Sequence, residues 1–164
     1  MYVYFFSSRT TTVSITSISN RFVQGLVNEA IHLNGTLGRR SGASIVFGIE
    51  PFISTYLDKS EGDGYPHSSS SNPLFPLLIA FNWDSSSDDE MFVNEVKSTF
   101  DVVLQLALAD GQDVRGSKQI LYSNYASDQV SLSQLYGQNL PQLQRIRKTW
   151  DPNNIMYLTG GFKF

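Results

Sequence analysis

The sequence predicts an α+β fold in which an antiparallel sheet is covered by helices. The 164-residue chain is 41% apolar and 16% charged, which is enough to bury one hydrophobic core. Short β-branched and aromatic runs alternate with two long stretches of helical periodicity. The resulting order of strand, helix, strand, strand, helix, strand, helix is typical of helices packed on a single sheet.

Four segments have the composition of strands. An opening strand is predicted at residues 2–6, and two more at residues 44–49 and 76–83, because these runs are apolar, β-branched or aromatic. A fourth strand is predicted at residues 119–125. The stretch 58–73 is rich in Ser, Gly, Asp and Pro, which predicts an exposed loop or insertion.

The first long helix follows from apolar residues that recur every four positions. Phe22 and Leu26 belong to this series, Ser17 or Ser19 is placed as N-cap, and Gly35 follows the predicted end. The second long helix is predicted before Gly111. Its buried stripe is formed by Phe92, Val96, Phe100, Val103 and Ala107. Two shorter helices are predicted around residues 132–136 and 140–146.

Composition also limits the classes of function. The chain has no cysteine, which excludes disulfides, thiolate metal sites and a cysteine nucleophile. His32 and His67 lack metal-ligand spacing, so no metal site is expected. The net charge of −3 gives no reason to expect nucleic acid or an anionic membrane as a partner.

Three short blocks near the C-terminus occur in a definite order. Residues 122–126 read Tyr-Ser-Asn-Tyr-Ala, residues 136–140 read Tyr-Gly-Gln-Asn-Leu, and residues 150–154 read Trp-Asp-Pro-Asn-Asn. Together they resemble the C-terminal segment of berberine-bridge-enzyme-like, FAD-linked oxidoreductases, within the class of vanillyl-alcohol-oxidase type flavoproteins. The final Gly-Gly-Phe-Lys-Phe resembles the fungal branch of that family.

The resemblance implies an FAD-dependent oxidoreductase that oxidises an alcohol, a sugar or a secondary metabolite by hydride transfer to the flavin. It assigns Tyr125 as the catalytic base, Asn124 to cofactor binding and Tyr122 to the substrate pocket. A free tyrosine has a pKa of about 10, so neighbours must lower the pKa of Tyr125 or include it in a proton relay. On the residues alone, Tyr122 and Tyr125 are better interpreted as core or cross-strand aromatics, and a regular strand would put Tyr122 and Asn124 on one face and Tyr125 on the other.

The resemblance also divides the chain into two parts. Residues 1–118 resemble part of the family's substrate-binding domain, and residues 119–164 resemble its closing, flavin-contacting segment. The family's N-terminal FAD domain, with its Gly-rich pyrophosphate loop and its flavin-attaching His and Cys, has no counterpart in this sequence. We therefore expect the isolated chain to be inactive and its partner to be the missing FAD domain. The alternative is a non-catalytic, ligand-binding remnant.

Overall fold

The sheet has three antiparallel strands and forms one layer of the fold. A computed structural model of the protein describes residues 7–40, 42–52, 59, 64–66, 74–119 and 121–163. The strands are β1 (Ser7–Ile15), β2 (Ser44–Ile49) and β3 (Phe75–Trp83), in the order β1-β3-β2. This arrangement confirms the α+β fold class with an antiparallel sheet.

Four helices accompany the sheet within the described residues. They are α1 (Asn20–Leu37), α2 (Asp89–Ala109), α3 (Leu132–Tyr136) and α4 (Leu140–Trp150). Helix α1 packs against β2 and α2, and α2 packs against β1 and β3, so one core joins both long helices to one face of the sheet. No described helix has both the length and the apolar character needed to cross a membrane.

The strand register separates the sheet into two chemically different faces. The face under the helices carries the fully buried apolar side chains of Val13, Ile15, Leu77, Ile79, Phe81 and Trp83. The opposite face is formed by the alternate residues, which are mostly small or hydroxylated. On that face lie Ser8, Thr10, Thr12, Ser14, Leu78, Ala80, Asn82, Ser44, Val46 and Gly48. The helix-free face therefore carries most of the polar side chains of the sheet, and Thr12 and Ser14 are fully buried within it.

Strand β1 was not predicted, whereas the strand predicted at residues 2–6 lies outside the described residues. Its run of Ser and Thr reads as a loop by polarity. Threonine is β-branched, however, and its hydroxyl suits the helix-free face. Val13 and Ile15 do alternate with a polar residue, as in a strand, but the rest of the segment is polar and hides this pattern.

Helix α1 begins as predicted and ends later than predicted. The Ser19 hydroxyl oxygen accepts a hydrogen bond from the Phe22 N–H at 3.0 Å, which confirms Ser19 as the N-cap. The helix continues through Gly35 to Leu37, and Gly38 is its C-cap. Gly35 lies in open space, so no neighbouring atom forces the helix to end there.

Asp110 fastens the start of α1 to the end of α2. The Ser19 hydroxyl donates to Asp110 Oδ1 at 2.6 Å, and this hydrogen bond holds the pKa of Asp110 below its ordinary value. A lowered pKa in the folded state means that the contribution to stability is present above the unfolded-state pKa of about 4. It is lost as the pH falls through the folded-state pKa.

The chain after α2 turns sharply and docks along the open edge of β1. Gly111 has a φ of 85°, the Gly111 N–H donates to the Leu108 carbonyl, and the Gln112 N–H donates to the Ala107 carbonyl. This pair of bonds is a Schellman motif, which ends the helix. The turn places the Gln112 side chain beside the end of β1. The predicted role of Gly111 is confirmed.

Two glutamine side chains take the place of a neighbouring strand at this edge. Gln112 Oε1 accepts from the Thr16 N–H at 2.7 Å, and Gln112 Nε2 donates to the Ser17 carbonyl at 3.1 Å. Gln119 Oε1 accepts from the Ser14 N–H at 2.7 Å. Both glutamines are only 5% exposed. Side-chain amides therefore satisfy the backbone groups that a fourth strand would have paired.

We expect Gln119→Leu to lower the free energy of unfolding by about 1–3 kcal/mol, because the Ser14 N–H would remain buried without its acceptor. Urea unfolding followed by far-ultraviolet circular dichroism measures this change. The matched control is Gln24→Leu on the exposed surface of α1, where Gln24 bonds Asn28 among the described residues and the expected change is within about 0.5 kcal/mol. Equal effects of the two substitutions would contradict the docking role of Gln119.

Candidate active site

The predicted site residues lie in a turn, and the strand predicted at residues 119–125 is wrong. The Tyr125 and Ala126 N–H groups both donate to the Tyr122 carbonyl at 3.0 Å. The Leu121 N–H donates to the Gln134 carbonyl at 2.9 Å instead of to a strand. The segment has no partner strand in the described sheet, and Gln119 at its start bonds the edge of β1 through its side chain instead.

Four aromatic rings form a cluster around Tyr122. Its ring meets those of Phe52, Tyr65 and Tyr125 edge to face, with centroid separations of 5.7, 5.6 and 5.2 Å. Such T-shaped contacts are favourable beyond the area that they bury. We call Phe52, Tyr65, Tyr122 and Tyr125 the aromatic cluster. It fixes both site tyrosines against residues that follow β2.

The turn brings the three predicted site residues together. Asn124 is exposed, and its Nδ2 donates to the Tyr122 hydroxyl at 2.8 Å. Tyr122 and Tyr125 are half-buried and in ring contact. The alternation expected of a regular strand, with Tyr125 on the opposite side from Asn124 and Tyr122, does not apply. Tyr122, Asn124 and Tyr125 are therefore direct neighbours in the fold.

Glu50 is the site residue that the sequence did not reveal. The Tyr125 hydroxyl donates to Glu50 Oε1 at 2.6 Å, across 75 residues of chain. Glu50 directly follows β2, and its N–H donates to the Pro76 carbonyl, which extends the β2–β3 pairing by one residue. The alternation along β2 places the Glu50 side chain on the helix-free face of the sheet. A lone carboxylate at a strand end, before Pro51, was the signal available in the sequence.

Glu50 raises the pKa of Tyr125 above its ordinary value of about 10. The hydrogen bond to the Glu50 carboxylate is the main cause, and burial and the negative charge of Glu50 add to it. The phenol is therefore neutral at physiological pH. Tyr125 was predicted to act as a base either through a lowered pKa or as part of a proton relay. Its pKa is not lowered, and its hydrogen bond to Glu50 is the contact that a relay requires.

The groups around the turn suit the ring portion of a flavin. An isoalloxazine presents a flat face and an edge with both donors and acceptors, which match aromatic side chains and an exposed amide such as that of Asn124. On the helix-free face, the buried hydroxyl of Thr12 has no hydrogen-bond partner among the described residues. The sequence has no Gly-rich strand-to-helix loop for a pyrophosphate, so the fit is limited to the ring.

The C-terminal tail is held by local hydrogen bonds and leaves a broad apolar surface open. Asp151 accepts from the Ile155 N–H at 2.7 Å and from the Met156 N–H at 3.0 Å, as expected of a turn anchor. Arg147 donates to Asn154, which is left-handed with a φ of 57°. The exposed apolar side chains of the tail are Ile146, Trp150, Ile155, Met156, Tyr157 and Leu158. Trp150 and Leu158 are 84% and 86% exposed, which is unusual for side chains of this size.

Comparison with known proteins identifies the segment that carries the site. Residues 121–160 match the family model described as berberine and berberine like. No curated protein matches the chain, and no solved structure matches it. The match covers the turn with Tyr122, Asn124 and Tyr125, but not Glu50. The family description does not distinguish a fungal branch. Residues 121–160 are thus a berberine-like segment, and the chain resembles the C-terminal portion of the berberine-bridge-enzyme-like family of FAD-linked oxidoreductases.

Proposed function

We propose that this chain supplies the proton acceptor and one wall of the substrate site of an FAD-dependent oxidoreductase that oxidises an alcohol, a sugar or a secondary metabolite. The observation that carries the proposal is the 2.6 Å hydrogen bond from the Tyr125 hydroxyl to the Glu50 carboxylate, because it joins the berberine-like segment to the sheet. Oxidation of a hydroxyl group removes one proton and one hydride, so the site needs a proton acceptor at the substrate oxygen.

Tyr125 and Glu50 act together as that acceptor. A neutral phenol with a raised pKa is a poor base by itself. Its oxygen accepts the substrate proton as its own proton passes to Glu50 Oε1, so the carboxylate becomes neutral, the negative charge passes to the substrate oxygen, and no phenolate has to form. The O–H bond that breaks at Tyr125 is replaced by a new O–H bond between the Tyr125 oxygen and the proton from the substrate. This is the relay form of the base role predicted for Tyr125.

Bound FAD would supply the hydride acceptor of the reaction. Asn124 would hold the ring edge through its exposed amide, and Tyr122 would line the substrate pocket while orienting Asn124 through their 2.8 Å hydrogen bond. In this proposal residues 1–118 are the partial substrate domain and residues 119–164 the flavin-contacting segment.

The exposed tail supports a requirement for a separate FAD-binding domain. Apolar side chains such as Trp150 and Leu158 are suited to burial against another domain. Three cationic side chains, Arg145, Arg147 and Lys148, lie on α4 between these apolar positions. We propose that the FAD domain covers this surface, and that the chain alone therefore oxidises no substrate.

Titration with two flavins tests whether the chain holds the ring. The fluorescence of each flavin is followed as the chain is added. FAD and riboflavin should bind with a similar Kd, in the range of about 0.1–1 mM, because the chain recognises the isoalloxazine ring and the pyrophosphate of FAD adds no affinity. Asn124→Ala should weaken both, and Gln129→Ala, in the same segment but away from the aromatic cluster, should weaken neither. Absence of binding of either flavin at about 1 mM would favour a ligand-binding remnant without a redox cofactor.

A further inference from the structure

Strand β2 is an open edge of the sheet. The Glu50 N–H bonds β3, so by alternation Ile45, Phe47 and Ile49 direct their backbone N–H and C=O groups away from β3. Within the described part of the chain, none of these three residues has a backbone partner on that side. The edge therefore presents a row of donors and acceptors to a further strand.

Within the part of the chain that the structure describes, this edge shows none of the features that keep exposed edges from pairing. Its sequence, Ser-Ile-Val-Phe-Gly-Ile, contains no charge and no proline, and its pairing with β3 is regular. Val46 is 44% exposed on the helix-free face. Natural edge strands are normally protected by lysine, proline or a bulge, so an uncharged apolar edge is typical of a pairing surface.

An exposed apolar stripe on α1 continues this edge into the helix layer. Val23, Val27 and Ile31 follow one another at four-residue spacing and are 39%, 45% and 66% exposed. On the side towards α2, Gly25 lies against Leu106. The stripe lies on the other side, next to a small cleft between α1 and the start of β2. That cleft is lined by Ala30, Asn34, Gly38, Ala43 and Ile45.

We propose that β2 and the α1 stripe form a symmetric interface with a second copy of this chain. This goes beyond the proposed function and depends on neither flavin nor Tyr125. The two β2 strands pair antiparallel around Phe47, so that Ile45 exchanges hydrogen bonds with Ile49 of the partner subunit. Three strands from each copy then form one continuous sheet with both α1 helices on the same face.

Shape favours a second copy in this register. Val46 lies opposite Gly48 of the partner subunit, so each protruding side chain meets a position without one. A Cβ added at Gly48 would lie 3.6 Å from the Leu78 side chain, an ordinary contact, so that position also accepts a small side chain.

Charge favours the same antiparallel arrangement. The exposed Arg39 and Arg40 precede β2, and Glu50 follows it. Antiparallel pairing brings the positive end of each β2 to the negative end of the other, whereas parallel pairing would place like charges together.

The size of the surface also requires both elements. A stable dimer buries about 800 Å² per partner, and a six-residue edge about 20 Å long supplies only part of that. The α1 stripes of the two copies face each other above the joined strands and add a second, uncharged layer. No charged side chain has to be desolvated within either layer, which favours association of like with like.

A designed disulfide tests the register directly, because the chain has no cysteine of its own. In the Val46→Cys, Gly48→Cys double variant, the thiol introduced at position 46 would oppose the one at position 48 of the partner subunit. This is a non-hydrogen-bonded pair, at a spacing that a disulfide can bridge. Mild oxidation should give a covalent dimer at twice the 18.4 kDa chain mass. The matched control, Ile18→Cys with Trp150→Cys, also exposes two thiols and should remain monomeric under denaturing conditions.

Sedimentation velocity on the intact chain gives an independent answer if that variant does not fold. The wild-type chain should be a dimer at about 100 µM, and Val27→Lys with Val46→Lys should raise the dimer Kd about 10-fold or more by placing like charges together. Trp150→Lys should leave the Kd unchanged. A monomeric wild-type chain, or a dimer that Trp150→Lys dissociates and the β2 and α1 substitutions do not, would overturn the proposal.

Discussion

In a full-length flavoprotein that contains this segment, Tyr125→Phe should slow reduction of the flavin by substrate about 10²-fold or more. This is the scale of a lost general base, about 2.7 kcal/mol of transition-state stabilisation. Phenylalanine keeps the edge-to-face contact with Tyr122, so the aromatic cluster stays packed. It removes the hydroxyl that bonds Glu50 and therefore the route by which the proton leaves the substrate. Anaerobic stopped-flow absorbance at the flavin band measures the rate.

The control for this prediction is Tyr122→Phe, which keeps a ring of the same size in the same cluster. Tyr122 accepts a hydrogen bond from Asn124, and among the described contacts its hydroxyl does not reach Glu50. We expect that substitution to slow flavin reduction by less than about 10-fold, because it disturbs positioning and leaves the proton acceptor intact. A Tyr125→Phe variant that reduces its flavin at the normal rate would remove Tyr125 from the reaction.

Trp83→Ala should lower the free energy of unfolding by about 3–5 kcal/mol, the largest effect expected of any single substitution in the chain. The Trp83 ring is 1% exposed and stacks on Phe92 with a centroid distance of 4.7 Å. Its Nε1 donates to Asp89 Oδ1 at 2.7 Å, which ties the end of β3 to the first turn of α2. Removing the ring leaves a cavity between sheet and helix and leaves Asp89 without its donor.

The second tryptophan of the chain provides the matched control. Trp150 is 84% exposed at the end of α4, so Trp150→Ala should change the unfolding free energy by no more than about 0.5 kcal/mol. Urea titrations followed by far-ultraviolet circular dichroism compare the two variants without using tryptophan fluorescence. A loss of stability as large in Trp150→Ala as in Trp83→Ala would mean that the tail, and not the sheet–helix contact, holds the core together.

The parts of the fold that local pattern specifies were predictable from sequence. Strands β2 and β3 follow from dense apolar runs, and the cap of α1 follows from Ser19 ahead of an apolar series. Strand β1 was not predicted because six of its nine residues are Ser or Thr, a polarity that is typical of loops. The fourth predicted strand is wrong because β-forming composition does not supply a neighbouring strand, and Gln119 meets the edge of β1 through its side chain rather than its backbone.

The site was predictable only in part, for a different physical reason. Tyr125, Asn124 and Tyr122 are close in sequence, so a single segment could indicate all three. Glu50 joins them through a contact between residues 75 positions apart, and no local pattern encodes that distance. Whether Tyr125 has a lowered pKa or belongs to a relay also depends on this contact, since Glu50 is the main cause of its raised pKa. Only the folded chain distinguishes the two forms of the base prediction.

The most direct test of the relay is a double-mutant cycle on Glu50 and Tyr125, read out as the rate of flavin reduction in the full-length protein. Glu50→Gln retains an oxygen that can accept the Tyr125 hydrogen bond but cannot take up the proton. Two groups that act as one unit give non-additive losses. The relay predicts a large loss in Glu50→Gln, and a double variant that is no slower than Tyr125→Phe alone. A normal rate in Glu50→Gln, or losses that multiply in the double variant, would contradict it.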